Sequence, residues 1–546
     1  MTPVLLSGYA AKQCAYRVHN DWSPSVEKLV WRPSQEAQAR LDAGIAFEAE
    51  VFAQLRADNP DAAVIDQDLK KSAAIAATVA AMAAHAPLIL GGWLPDDEIG
   101  GRTGRPDILV HAGRGRYLPA DVKGHLTVAD SPNLSVEIST FAEPGQRVTV
   151  SGLKPRADRR STGGLQLAHY TRMLQAIDRH PGELVGAIVG TSVVAGHDHA
   201  VFLWHNLAEP TEVTYSRSDG KKARSLLERY DHEHAFRVTI ARHAQTQPLP
   251  LIRPIAQEEC ATCPYEDHCA ALLSDRDDAS AAITTGRLDI REWNALRGLG
   301  ITTTTELAAL DTGDDEFIST YLAEVNHRTK TLPRLNDAVR RAQMVRDGVA
   351  LLRHTERPVP VADIEVDFDM ESDVNGRVYM WGARVRRGSE ESTAVYHPEF
   401  TVWEPIDEDG ERELADRFVS WMRGICDQGR IAGLNVRFFH WAPVERTKLR
   451  SILGADRFAD LQPLITDLRP VFMAQFFSLH GNGLKAVANA FGFSWSVDDP
   501  GGAVSQVHLQ AVHNTGDETA KRWLLNYNRD DCAATAAVRD GMVAWT

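Results

Sequence analysis

Apolar residues along the first half of the chain fall into short runs punctuated by turn formers, and these runs alternate with longer stretches of helical period. Ile108-Leu109-Val110 and Tyr117-Leu118-Pro119-Ala120 flank Gly113-Arg114-Gly115, which predicts a hairpin. Residues 34–57 carry Leu41, Ile45, Phe47, Val51 and Leu55 at helical spacing, with Gly44 in the middle. Further helices are predicted over 64–86, 165–177 and 223–244, and strands over 88–90, 185–189 and 200–204. Beyond the extended, proline-containing run 247–254, residues 290–325 read as helix, glycine-bearing turn (Gly298-Leu299-Gly300-Ile301) and helix, and 326–350 continues helical. The last third opens on an alternating strand, Asp363 to Asp369, and has helices at 484–492 and around 525–531. The expected fold class is therefore α/β multidomain, divided at about 1–280, 281–352 and 353–546.

Composition narrows the picture. At 546 residues the chain has room for two or three cores, and a hydrophobic fraction of 44% is that of a globular protein. A net charge of −15 argues against a protein that coats nucleic acid by bulk attraction. It leaves room for an enzyme with a local basic surface, for which Lys154, Arg156, Arg159 and Arg160, or Arg328, Lys330, Arg334, Arg340 and Arg341, are candidates. No run of about 18 apolar residues occurs and the start lacks a basic, then apolar, leader, so a cytoplasmic location without a membrane partner is expected.

Candidate chemistry concentrates between Gly104 and Tyr170. A hairpin turning near 113–114 sets Asp107 within about one residue of Asp121 across the ladder. Two carboxylates so placed can share Mg2+ or Mn2+, which polarises a phosphodiester and acidifies a bound water; Lys123, on the same face as Asp121, can orient that water. Gln166 and Tyr170 lie at i and i+4 on one helix face, suited to hold the lysine or a substrate strand. The order Gly-x-Pro-Asp, acid-x-Lys, Gln-x-x-x-Tyr resembles the RecB-like branch of the PD-(D/E)xK nucleases, which implies a restriction-endonuclease-like α/β core. That family has a histidine ligand in a Gly-x-x-x-His-Glu helix. Here Gly44-Ile-Ala-Phe47-Glu48 has phenylalanine instead, leaving Glu48 as the candidate third ligand.

Three cysteines, Cys260, Cys263 and Cys269, are spaced closely enough for a metal site. A tetrahedral site needs a fourth ligand. Cys14 is one candidate, and His268 would complete a zinc site with the three. One cysteine before the nuclease core and three after it resembles the iron-sulfur exonucleases, which implies a [4Fe-4S] cluster on Cys14, Cys260, Cys263 and Cys269 clasping the ends of the domain.

In the last third, Asp363-x-Glu365 on a first strand and Tyr527-x-x-x-Asp531 on a late helix resemble the DEDD exonucleases of RNase H-like fold. The resemblance implies two metal ions on Asp363, Glu365 and Asp531, with Tyr527 orienting water. The middle acid is unassigned between Glu445 and Asp467. The turn at 298–301 resembles a helix-hairpin-helix element, and the whole order resembles predicted bacterial RecB-like nucleases. The expected function is a metal-dependent DNA exonuclease acting on single-stranded or free ends in repair or recombination. No Gly-x-x-x-x-Gly-Lys-(Ser/Thr) loop exists, so unwinding would need a partner helicase. A degenerate nucleic-acid-binding or sensing protein and an RNA-processing exonuclease are the alternatives.

Overall fold

Eight strands form one mixed sheet in the computed structural model: β1 (Ala63–Val64), β2 (Leu88–Leu90), β3 (Ile108–His111), β4 (Tyr117–Lys123), β5 (Val128–Ser139), β6 (Val148–Pro155), β7 (Val185–Gly190) and β8 (Phe202–Asn206). Their order is β1-β2-β3-β4-β7-β8-β5-β6. The structure describes all residues except Met1, Val193, Asp198, 217–219, 326–328, Ala455 and Thr546, and the side chains of Gln35, Glu36, Ala39, 157–162, Tyr215, Ser216 and Gly220 also lie outside it. Arg328 and the side chains of Arg159 and Arg160, named above as candidate phosphate contacts, therefore fall outside the description.

The chain divides into two units, residues 1–275 with 320–331, and residues 276–319 with 332–546. In the first, β3 and β4 are the expected antiparallel hairpin, and β4 runs parallel to β7. Both faces of this sheet are covered, so its strands are apolar on alternate residues in both directions. Ile108 and Val110 join a core with Val51 and Leu55 of the helix Gln35–Asp58, whereas Leu109 and Tyr117 pack on Tyr170, Met173 and Leu174 of the helix Ala157–Ala176.

Some elements differ from expectation. The helix predicted over 64–86 is Lys71–Ala83, because residues 63–64 pair with β2 and Asp66 accepts the Asp68 backbone N–H in a turn. The helix predicted from 223 begins at Leu226, where Ser225 and Glu228 close a capping box. The ribbon of β5 and β6 had no clear alternation to predict it; most of its residues are exposed or half-buried. Strands β9 (Glu212–Ser216) and β10 (Gly220–Arg224) form a separate hairpin.

In the second unit β11 (Leu351–Arg353), β12 (Ile364–Ser372), β13 (Val378–Arg387), β14 (Glu390–His397), β15 (Val436–His440), β16 (Ile465–Asp467) and β17 (Phe476–Ser478) follow in order. Five of them form the sheet β14-β13-β12-β15-β16, antiparallel on the β13 side of β12 and parallel on the other. Val366 and Phe368 of β12 point into a core with Phe418 and Val419 of the helix Glu408–Ala432. The alternate residues, all acidic, face the C-terminal helix Glu518–Ala544. The helix, turn and helix predicted near 298–301 are Ile290–Gly298 and Thr304–Ala309; each starts with a capping box, and Gly300 takes φ +88° in the turn. No helix among the described residues is long and apolar enough to cross a membrane.

Candidate metal centres

The register Ile108↔Ala120 puts Asp107, one residue before β3, opposite Asp121. The two carboxyl groups lie close enough for each to feel the other's charge, and Asp107 Oδ2 accepts the Val122 backbone N–H at 2.7 Å. Burial first, then the Asp121 charge, pushes the Asp107 carboxyl well above the usual range. Lys123 forms an ion pair with the fully buried Asp121. Burial pulls the Lys123 ammonium down, but Asp121, Tyr9 and Asp107 outweigh it and hold it above its ordinary value.

Gln166 Nε2 donates to Asp121 Oδ1 at 3.3 Å and to Tyr170 Oη at 3.1 Å, and the Tyr170 hydroxyl donates to the Arg105 carbonyl at 3.0 Å. Both side chains thus fix the carboxylate and the loop that carries Asp107, a role closer to the acids than to the lysine. Gly104 is required by this packing, since a Cβ there would lie 2.7 Å from Tyr170 Cε1. Phe47 packs against the core. Glu48 is half-buried; burial and the Asp121 charge raise its carboxyl and Arg105 and Lys123 oppose them, but it does not bring a carboxylate oxygen within 4.8 Å of both Asp107 and Asp121. A second cation, Lys12, went unrecognised in the sequence. Its ammonium sits 4.3 Å from the Tyr9 ring centre, and burial with repulsion from Lys123 brings it down to about 8. It lies 95 residues before Asp107 in no motif, so no local signal marked it.

Cys14, Cys260, Cys263 and Cys269 line one cavity with Arg17 and Glu259, and His268 is not part of the lining. Cys14 caps the helix Ala15–Trp22, and its N–H is held by Glu259 at 2.8 Å. Burial and the charges of the other three push Cys269 up to about 12. Among the described residues, no three of these sulfurs lie mutually within 4.8 Å.

In the second unit Asp369, Glu371 and Asp531 bring one carboxylate oxygen each within 4.8 Å of the others. This corrects the expected ligand set. Asp363 is exposed and accepts from the Asn435 backbone and side chain, and Glu365 is an ion-pair partner of Arg386 and Arg539 at 2.8 and 2.6 Å. Asp367 is likewise paired with Arg539. The strand presents an acid at every second position, so alternation gave the face without the position along it. The neighbouring strand decides: Glu365 and Asp367 lie opposite Arg386 and Arg384, while Asp369 and Glu371 lie opposite Gly382 and Met380.

Asp531 and Tyr527 lie four residues apart on one face of the late helix. The Tyr527 hydroxyl bonds Asp531, which also accepts from Trp495 Nε1 at 2.8 Å. Asn528 Nδ2 donates to Asp369 at 3.1 Å, and Gly382 makes room for it. Burial and the Asp531 charge push Glu371 up to about 8, burial raises Asp531 to about 6, and Asp369 stands well above its usual range. Three acids so crowded, with the Lys485 ammonium in their field, fit a divalent ion. Of the two middle acids, Glu445 bonds His440 Nδ1 at 2.9 Å and adds to the field on Asp369, whereas Asp467 caps the helix Leu468–Met473.

Comparison with curated proteins and with solved structures gives no significant match. Residues 368–543 match a family model of the RNase_H superfamily, RNase_H_2. The match begins one residue before Asp369 and extends past Asp531, so the second unit carries an RNase H-like domain whose acidic cluster lies within the matched segment.

Proposed function

We propose that the chain is a metal-dependent nuclease that hydrolyses phosphodiester bonds of DNA at single-stranded or free ends, with one hydrolytic site in each unit. The observation that carries this reading is the convergence of Asp369, Glu371 and Asp531 inside the RNase H-like segment. Mg2+ or Mn2+ held there would supply Lewis acidity and a more acidic water. Tyr527, hydrogen-bonded to Asp531, orients the attacking water, and Asn528 keeps Asp369 turned toward the cluster.

In the first unit the reading is supported by the meeting of Asp107 and Asp121 with Lys123 beside them. Asp107 and Asp121 would hold the ion, Gln166 and Tyr170 fix the acids, and Lys123 positions water and offsets developing charge. The RecB-like assignment rests on this geometry with its motif order. A [4Fe-4S] cluster on Cys14, Cys260, Cys263 and Cys269 is part of the proposal. Such a group would clasp the two ends of the domain and leave the hydrolysis to the carboxylates. A partner helicase and a role in repair belong to the same proposal.

Degradation of end-labelled single-stranded DNA with Mn2+ by wild type, Asp121→Ala, Asp531→Asn and the double variant tests both sites. Each single variant is expected to lose part of the activity and the double variant all of it. Activity unchanged by Asp121→Ala removes the first site, and activity unchanged by Asp531→Asn removes the second. An unlabelled RNA competitor that inhibits as well as DNA would favour RNA processing.

A further inference from the structure

Beside the acidic cluster of the second unit three aromatic rings are laid one on another. Trp523 and Tyr527 stand at i and i+4 on the helix Glu518–Ala544, and Asp531 follows in the same row. The ring centres of Trp523 and Tyr527 are 5.1 Å apart with their planes 23° from parallel, and His508 of the helix Gly502–Thr515 lies on Trp523 at 4.3 Å and 23°. The stack begins at the ion site, because the Tyr527 hydroxyl bonds Asp531. It ends in solvent: Tyr527 is buried, whereas Trp523 and His508 are only half-buried. Near-parallel pairs elsewhere in this unit, such as Trp381 with Phe418 and Phe472 with Phe476, are core packing.

The scaffold holds these rings in advance. Leu509 and Val512 of one helix pack with Ala520 and Leu524 of the other, and Trp523 Nε1 donates to the Asp498 carbonyl at 3.3 Å. The Lys485 ammonium lies 5.1 Å from the centre of the Tyr527 ring. One face of His508 is covered by Trp523, so the exposure it keeps lies on its other face and edge. Burial holds the His508 imidazole below its ordinary value, with Asp517 opposing, which leaves the ring uncharged at neutral pH. A flat, uncharged ring open on one side is a surface on which an unpaired base stacks.

We propose that His508 and Trp523 form a stacking platform for an unpaired base of the single strand whose phosphodiester meets Asp369, Glu371 and Asp531. The platform rests on the nuclease reading of that cluster and names the part of the substrate that the second unit grips. Continuity decides the occupant. The row of residues 523, 527 and 531 runs from the rings to a carboxylate of the ion site within about 12 Å of helix, so a strand that presents a phosphate at one end presents a base near the other. Any of the four bases can continue the stack, which fits an enzyme that removes nucleotides whatever their sequence.

Photocrosslinking of a 5-iododeoxyuridine dodecamer to the full chain in EDTA, followed by peptide mapping, tests the platform without requiring cleavage and apart from any binding by the first unit. A crosslink within residues 502–527 is expected. It should fall about tenfold in His508→Ala and in Trp523→Ala and return in His508→Phe, which keeps a flat ring without the imidazole nitrogens. Trp523 also packs against the core around Leu524, so His508→Ala is the deciding variant. Excess thymidine dodecamer should compete the crosslink away, and a dodecamer of abasic sugars, which keeps every phosphate, should compete about tenfold less well. Crosslinks only outside 502–527, an undiminished crosslink in His508→Ala, or equal competition by the abasic dodecamer overturns the platform. An Asp531→Asn protein that crosslinks like wild type and keeps the full Mn2+-dependent hydrolysis would refute the nuclease reading of the cluster and leave the platform.

Discussion

Replacing Glu371 by glutamine should make the metal-free protein more stable at pH 8 while removing activity of the second site. Burial, then the Asp531 charge, moves the Glu371 carboxyl from the ordinary 4.5 to about 8. At ~1.4 kcal/mol per pH unit that distance corresponds to on the order of 5 kcal/mol. Asp531, raised to about 6, shares the same repulsion, so it is not counted again. The sign follows from proton uptake. The folded chain keeps its proton at a pH where the unfolded chain has lost it, so the contribution is complete below about pH 4.5 and is lost as pH rises through about 8. Thermal unfolding of the full chain in EDTA is the assay. At roughly 2 °C or more per kcal/mol for a domain of this size, wild type should lose about 10 °C between pH 5 and pH 8. Glu371→Gln should lose less than half of that. Adding Mn2+ at pH 8 should raise the midpoint of the second unit more in wild type than in the variant, because an ion that binds only the folded form stabilises it, while a shift from the acid pair of the first unit is common to both. Parallel pH profiles for the two proteins, or an equal Mn2+ shift, would refute the reasoning that three mutually repelling acids await a cation.

Arg539 is fully buried and pairs with both Glu365 and Asp367, so Arg539→Met should cost about 3–5 kcal/mol in urea unfolding by stranding buried charge; a loss under about 1 kcal/mol would contradict the ion-pair account. Gly382→Ala brings a Cβ to 1.6 Å from Asn528 Oδ1, and the forced shift should cost about 1–3 kcal/mol and weaken Mn2+ binding to the second unit, measured by calorimetry. Protein purified without oxygen should be brown with about four irons per chain, and Cys14→Ser should lose iron and unfold at lower temperature; a colourless wild type with one zinc would sink the cluster assignment.

What the sequence made legible follows the range of each physical signal. The first acid pair could be found because its two members flank one tight turn. The ladder of a hairpin ties residues 107 and 121 together whatever the rest of the chain does. Tyr527 and Asp531 were similarly accessible, being four apart on one helix. Position along β12 was not, because Glu365, Asp367, Asp369 and Glu371 share one face and differ in what lies opposite. That depends on the register against β13, and no spacing within β12 encodes it. Part of the signal lies in the partner strand, where Arg386 pairs with Glu365 and Gly382 opens space beside Asp369, and the rest lies in the last helix, where Arg539 neutralises Asp367. Lys12 is harder still, since it comes from a distant segment and reaches the site only through its packing on Tyr9. Charge pattern along the chain points the same way: the buried cations Arg386 and Arg539 hold the acids of one end of β12 in place, which leaves the other end as the part of the strand whose negative charge needs an ion from solution.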